Sequence, residues 1–264
     1  MDDATQPALL FFVGLSFSEF AAVMLIYLIA GIIKGIIGFA LPLVAVTSSV
    51  FFLSVPDAVA AVILPGLVTN IQQASRYGVR ALIDTTRRFW LLIITMISTI
   101  WLGAFFLMII PSVYFYIFLG GFTLFFSSVQ LAGWRPTISN RLERQMNVLI
   151  GLFAGVSGGM TGAWGVPLML YLNSLELPKD QTTRAGGVAF ASGGVMMALA
   201  HANTGIFNHQ TAWLSAAAIA PAYIGMWLGQ NVQEKINREL FRTLALVVLI
   251  CASLSLLRRA LVLW

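Results

Sequence analysis

The chain of 264 residues is 59% hydrophobic and only 9% charged, with a mean hydropathy of +0.90. This composition excludes a soluble globular domain, which could not bury so many apolar side chains in one core, and indicates a chain that lies in lipid. The net charge of +5 does not point to a nucleic-acid partner, because the basic residues lie in short joints beside apolar segments.

Apolar segments bounded by charge, proline or glycine predict ten helices in two sets of five. The first set is predicted near 19–37, 41–54, 57–75, 88–110 and 113–132. The second set is predicted near 146–157, 166–176, 181–201, 211–232 and 239–257. The second segment of each set is too short to cross about 30 Å of hydrocarbon, so it is predicted to be a half-helix or a broken one. The predicted fold class is an all-α polytopic membrane protein.

The two sets resemble each other in detail, which predicts an internal repeat. Gly31, Lys34, Gly35, Gly38 and Pro42 in the first set correspond to Gly151, Ala154, Gly155, Gly158 to Gly159 and Pro167 in the second. We therefore predict a first repeat at 19–134, a cytoplasmic linker at 135–145 and a second repeat at 146–264, after an external N-terminal segment at 1–18.

Charge bias predicts the orientation of the two repeats. The joint after the third helix is basic, whereas its counterpart between His201 and Gln210 has no formally charged residue, so the first is predicted to be cytoplasmic and the second external. Equivalent joints on opposite faces indicate inverted repeats, as in many secondary transporters. A parallel duplication, or no true repeat, is the alternative. The basic residues predicted inside are Arg76, Arg80, Arg87, Arg88, Arg135, Arg141, Arg144, Lys235, Arg238 and Arg242.

The segments from Gly35 to Pro42 and from Gly155 to Pro167 predict two helix breaks inside the membrane. A backbone group without a partner costs several kcal/mol in hydrocarbon, so each break implies a cavity. Glycine can take positive φ, and each proline is predicted to start a new helix whose N-terminus carries about half an elementary positive charge. Two such ends that face one another would form an anion site.

Lys34 lies beside the first break, well inside an apolar segment, where a charge is expensive and usually functional. It is predicted to bind an anion, although it could instead snorkel to the interface or pair with a distant carboxylate. The full set of candidate substrate-binding residues is Lys34, Gly35, Gly38, Phe39, Pro42, Asn70, Gln73, Gly158, Gly159, Thr161, Gly162, Trp164, Pro167 and Arg184.

Each of these candidates also has a plainer interpretation. Asn70 and Gln73, which follow a predicted kink at Pro65 and Gly66, would either donate to an anion or cap their helix. Arg184 would either attract anions or anchor its helix at the interface. The glycines would otherwise serve close helix packing. His201 and His209 have no third ligand or base nearby in the sequence, so we expect neither a metal site nor catalysis.

At these residues the sequence resembles the sulfite exporter TauE/SafE family, also called the toluene sulfonate uptake permease family. The resemblance covers nearly the whole chain and rests on the two glycine-rich segments that end in proline, on the basic joint, and on the Leu102-Gly103 and Leu228-Gly229 pairs. The first copy has Phe39 and Ala40 where the family usually has a glycine run. The resemblance implies transport of sulfite, sulfonates, sulfoacetate-like or other sulfur-containing anions across a bacterial inner membrane.

The function predicted from the sequence is therefore that of a secondary transporter whose inverted halves rock about a central anion site. A channel and a non-transporting membrane scaffold are the alternatives. An enzyme is not expected, since the apolar segments hold no paired base and nucleophile, and no phosphate-binding glycine loop ending in Gly-Lys-Ser or Gly-Lys-Thr occurs. No cofactor is expected. The expected partners are a small anion and the lipid bilayer, and small-residue faces leave a homodimer open.

Overall fold

The computed structural model describes residues 12–76, 78–134, 138–139, 141–175, 177–232 and 237–263. Predictions that concern residues 1–11, Arg135 and Lys235 lie outside these ranges, and the side chains of Arg238 and Arg242 are not described either. Within the described ranges the regular structure is helical, with a short 3-10 turn at Phe12–Gly14 before twelve α-helices.

The five predicted segments of the first half appear as six helices, because the third segment is divided into two, and a seventh helix is additional. The first half contains α1 (Phe17–Ile37), α2 (Leu41–Ser49), α3 (Val55–Ala61), α4 (Ile63–Ser75), α5 (Val79–Arg88), α6 (Trp90–Ile109) and α7 (Ser112–Leu131). The second half contains α8 (Glu143–Thr161), α9 (Gly165–Ser174), α10 (Lys179–Asn203), α11 (His209–Val232) and α12 (Arg238–Leu263).

Seven segments of the described chain are long and apolar enough to cross a bilayer, counting α3 and α4 together as one. These segments are about 20 residues or longer, which is the length that spans the hydrocarbon. The prediction of an all-α polytopic membrane protein is confirmed. The short helices α2 and α9 have 9 and 10 residues, so their length agrees with the predicted half-helices.

The tightest helix contacts join the two halves rather than lying within one half. Helix α1 packs along α11, and α8 packs along α6. At both contacts, glycines bring the backbones so close that an added Cβ atom would collide with the opposite carbonyl oxygen. Such collisions involve Gly31 with Ala222, Gly35 with Met226, Gly155 with Met96, and Gly159 with Ile100. This is the close backbone approach that small residues permit in membrane helices.

The order of these contacts gives the helix directions. Residue numbers rise together along α1 and α11 and along α6 and α8, so each of these pairs is parallel. Helices α4 and α10 are antiparallel, because Asn70 bonds to Phe190 and Gln73 bonds to Thr183. Helix α4 is parallel to α11. The Ser215 hydroxyl near the start of α11 bonds to Ala61 and Leu64, where α4 begins. Helix α6 is parallel to α10, because Met96 lies against Gly193 and Trp101 bonds to Met196. Corresponding helices of the two halves therefore run in opposite directions.

The basic joint after the third predicted helix is itself a helix, which the sequence analysis missed. Helix α5 exposes Val79 and Ile83 beside its arginines and buries Thr85. It is tied to the second half at two points. Arg88 forms an ion pair with Glu143 of α8 at 3.4 Å, and Arg184 of α10 donates to the Thr85 hydroxyl at 2.6 Å.

The third predicted helix is interrupted at Val62, one turn before the predicted kink at Pro65 and Gly66. Pro65 has no N–H and cannot bond to the carbonyl of Ala61. The Ser215 hydroxyl of α11 donates to this carbonyl at 3.0 Å and accepts from the Leu64 N–H at 3.0 Å. One side chain therefore satisfies two backbone groups that the interruption leaves open, as membrane helices with proline require.

Replacing Ser215 by alanine is expected to destabilise the protein by about 1–3 kcal/mol, because both backbone groups at the interruption lose their partner. The midpoint of thermal unfolding in detergent measures this change. Ser192→Ala is the matched control, since the Ser192 hydroxyl bonds only within its own helix, to Val188. Equal unfolding midpoints for the two variants would contradict the assigned role of Ser215.

Candidate functional site

Two short interruptions, each of three residues, separate α1 from α2 and α8 from α9. In the first, Gly38 and Ala40 both have positive φ, of 93° and 82°. In the second, Gly162 has a φ of 71°. Ala40 thus takes a conformation that favours glycine, at one of the two positions where the sequence departs from the family's glycine run.

These interruptions are narrower than predicted. Helix α1 continues to Ile37, and α8 continues through Gly155, Gly158 and Gly159 to Thr161. The new helices start at Leu41 and Gly165 and not at the prolines. Pro42 and Pro167 lie in the first turns, where the missing N–H is tolerated. The prediction that each proline begins its helix is therefore wrong by one and two residues.

The two interruptions lie against each other in the middle of the bundle. A Cβ atom added to Gly165 would lie 3.7 Å from the Cβ atom of Phe39, and one added to Gly162 would lie 3.7 Å from that of Pro42. The first turns of α2 and α9 therefore start close together. Their N–H groups have no acceptor within their own helices, so both helix ends offer donors and partial positive charge to this region.

Lys34 in the last turn of α1 is 2% exposed. Its ammonium group donates to the Thr69 hydroxyl at 2.9 Å and to the side-chain oxygen of Asn70. The Thr69 hydroxyl in turn donates a hydrogen bond to the carbonyl of Pro65 at 2.6 Å, and the Asn70 amide donates to the carbonyl of Phe190 at 3.3 Å. The ammonium group forms no ion pair with any carboxylate among the described residues. The site therefore holds a buried lysine amine whose hydrogen-bond partners are all neutral.

Neither alternative for Lys34 matches this geometry. A lysine that snorkels to the interface keeps its head in water, and one that pairs with a carboxylate has an acidic neighbour. Thr69 and the carbonyl of Phe190 were not identified from the sequence. They come from other helices, and no local pattern marks them.

Thr161 and Trp164 line the second interruption from inside and are 1% and 4% exposed. The Thr161 hydroxyl donates to the carbonyl of Ser157 at 2.7 Å and accepts from the Ala163 N–H at 3.1 Å, which closes the end of α8. A Cβ atom on Gly158 would collide with the indole ring of Trp164, so Gly158 makes room for this ring. The ring also lies 3.2 Å from where a Cβ atom on Gly193 would stand.

The structure places four of the predicted site residues away from the interruptions. Gly35 and Gly159 face neighbouring helices, as the packing interpretation of these glycines requires. The Gln73 amide donates to the carbonyl of Thr183 at 3.3 Å, toward the start of α10. Arg184 lies in the same part of α10, six residues or about 9 Å before Phe190.

His201, which the sequence placed in an external joint, is a fully buried residue of α10. Its Nε2 atom lies 2.8 Å from the carbonyl oxygen of Gly159 in the last turn of α8. No group of three or more metal-ligating side chains occurs in the part of the chain that the structure describes.

The fold and this site define a polytopic helical membrane protein with inverted halves, in which two interrupted helices meet beside a buried lysine. The family model described as sulfite exporter TauE/SafE matches residues 23–256, so the chain belongs to this family. Its members are membrane transporters of sulfur-containing anions, and the chain is a transporter of this class. No curated protein and no solved structure matches the chain.

Proposed function

We propose that the chain is a secondary transporter that moves a small organosulfur anion or sulfur oxyanion across the cytoplasmic membrane by alternating access. Sulfite, a sulfonate or a sulfoacetate-like ion fits this description. The anion is held where the two interruptions meet, beside Lys34. The observation that carries the proposal is the buried ammonium group of Lys34, which has neutral hydrogen-bond partners and no acidic one among the described residues.

An anion bound beside Lys34 would supply the negative charge that no described carboxylate supplies. An uncompensated charge is expensive in a low-dielectric interior, and a bound anion removes that cost. The first turns of α2 and α9 add N–H donors from two directions. The residues that contribute are Lys34, Gly38, Phe39 and Pro42 from the first interruption, with Thr69 and Asn70 behind them, and Thr161, Gly162, Trp164 and Pro167 from the second.

The burial of this region supports alternating access over an open channel. Lys34, Asn70, Thr161 and Trp164 are all less than 5% exposed, so an anion reaches them only after helices separate. A saturable flux is the kinetic consequence. In the proposed orientation the basic joints face the cytoplasm and the turn between α10 and α11 faces outward.

Asn70→Asp tests the proposal without removing the lysine. The new carboxylate would pair with the Lys34 ammonium, since the Asn70 oxygen already accepts from it, and would repel an incoming anion. We expect anion affinity to fall at least about tenfold, which corresponds to about 1.4 kcal/mol. Isothermal titration of the purified protein with sulfite, thiosulfate, sulfoacetate and matched carboxylates measures this affinity.

Asn147→Asp is the matched control for this experiment. Asn147 is also buried, at 5% exposed, but it bonds to Tyr171 near the cytoplasmic start of α8 and not to Lys34. It should retain the affinity of the unaltered protein. Undiminished binding in Asn70→Asp, or binding of carboxylates and sulfur anions alike, would argue against the proposed site or its substrate class.

A further inference from the structure

His201 is buried beside the second interruption. Its imidazole contacts the carbonyl of Gly159, three residues before Gly162 at the end of α8. One helical turn earlier in α10, Met197 lies 3.3 Å from where a Cβ atom on Gly162 would stand. His201 therefore lies next to the region where the proposed anion is held.

The imidazole of His201 has one nitrogen in use and one without a partner. Nε2 contacts the Gly159 carbonyl at 2.8 Å, which requires the proton of the neutral ring to sit on Nε2. Nδ1 is then an acceptor, and no hydrogen-bond partner for it occurs among the described residues. A buried basic nitrogen with a free lone pair can take up a proton as soon as water reaches it.

Charged neighbours of His201 are confined to the other end of its helix. The helices that pack against α10 are α4, α5, α6, α8 and α9. Their described charged or titratable residues near the cytoplasmic end are Arg80, Asp84, Arg87, Arg88, Glu143, Arg144 and Tyr171. On the external side, Asp57 of α3 bonds to Ser54, and His209 at the start of α11 is exposed and bonds to Trp213. A protonated His201 would thus have no counter-charge from these groups.

We propose that His201 is a proton-binding site and that its proton moves with the transported anion. This inference rests on the proposed function. An imidazolium buried without a counter-charge is expensive, and a bound anion offsets this cost, so proton and anion favour each other's binding. Water on the external side gives the proton to Nδ1 when the helices open outward. The proton leaves Nδ1 for water on the cytoplasmic side after the anion has departed.

Flux measurements in liposomes test this coupling. With the membrane potential clamped at zero and one proton per anion, a pH difference of one unit, acid outside, should accumulate sulfoacetate, which is fully ionised at neutral pH, about tenfold inside. A pH-sensitive dye in the lumen should report acidification only when the anion is present. Anion entry with no acidification and no accumulation would overturn the inference and leave the proposed transport intact. Failure of the unaltered protein to bind or move any tested anion would instead remove the proposed function itself.

His201→Gln identifies the residue, because the glutamine amide can still donate to the Gly159 carbonyl but cannot be protonated. The anion affinity of the unaltered protein should rise as the pH falls, whereas that of His201→Gln should not, and accumulation and luminal acidification should disappear in the variant. His209→Gln, which alters the exposed histidine, should behave like the unaltered protein. Proton movement that persists in His201→Gln would assign the proton to another group. If this variant does not fold, His201→Asn repeats the test, and the unaltered protein alone decides whether a proton moves.

Discussion

Lys34→Met is expected to abolish anion binding while leaving the protein folded. Methionine has nearly the length of lysine without its charge, so it keeps the packing of the last turn of α1. Removing one partner of a buried charge pair costs about 2–5 kcal/mol, which lowers the affinity by about 30-fold or more. Titration of the purified variant with the anion that the unaltered protein binds measures this loss.

The thermal stability of Lys34→Met provides a second test of the role of Lys34. In the absence of anion, the lysine is a buried charge without an acidic partner among the described residues, which is a cost to the folded state. Lys34→Met should therefore unfold at the same temperature as the unaltered protein or higher, and added anion should no longer raise this temperature. Unchanged anion affinity would remove Lys34 from the site.

Gly159→Ala is expected to destabilise the protein at the contact between α6 and α8. The added methyl group would collide with the carbonyl oxygen of Ile100, and this backbone atom cannot move aside without separating α6 from α8. Overpacking of this kind costs about 1–3 kcal/mol. The midpoint of thermal unfolding and the yield of folded protein measure the effect.

Gly121→Ala is the matched control, since it lies within α7 and has open space around the added methyl group. There the substitution should be neutral or stabilise by about 0.5–1 kcal/mol, because alanine is the better helix former. If Gly159→Ala were as stable as Gly121→Ala, the close approach of α6 and α8 would be wrong. Gly159→Val should block transport, because its larger side chain would also collide with α6 and disturb the packing of α6 against α8.

The features that the sequence predicted well are those with few physical interpretations. A lysine inside an apolar segment, and glycine followed by proline within such a segment, are rare because each is costly in lipid. The two interruptions were found in this way, and Lys34 beside the first of them is buried, while its role in binding stays a prediction. The opposite directions of the two halves followed from the arginines of one joint and their absence from its counterpart.

The extent of the second interruption could not be predicted from its glycines. An interruption and a close helix contact both require a missing side chain, so one pattern fits both. Gly155 and Gly159 meet backbone atoms of α6, and Gly158 meets Trp164, all within a continuous helix. The two interpretations are distinguished only by what each glycine faces in the folded protein, and the facing residues are not its neighbours in the local sequence pattern.

Helix α5 was missed although a signal was present. Val79, Leu82 and Ile83 have the spacing of one helix face, and the arginines take the other positions. The sequence analysis treated these arginines only as markers of orientation. The bonds from Lys34 to Thr69 and from Asn70 to Phe190 could not be found in this way, since contacts between distant segments leave no local periodicity to detect.

The contacts between halves decide which parts of the molecule can move as units. Helix α1 packs along α11, and α6 packs along α8, so each pair takes one member from each repeat. A motion that separated the repeats would pull apart backbones that touch at Gly31, Gly35, Gly155 and Gly159. We therefore expect any opening and closing to keep each of these pairs together, so that the moving parts would not be the two halves of the sequence.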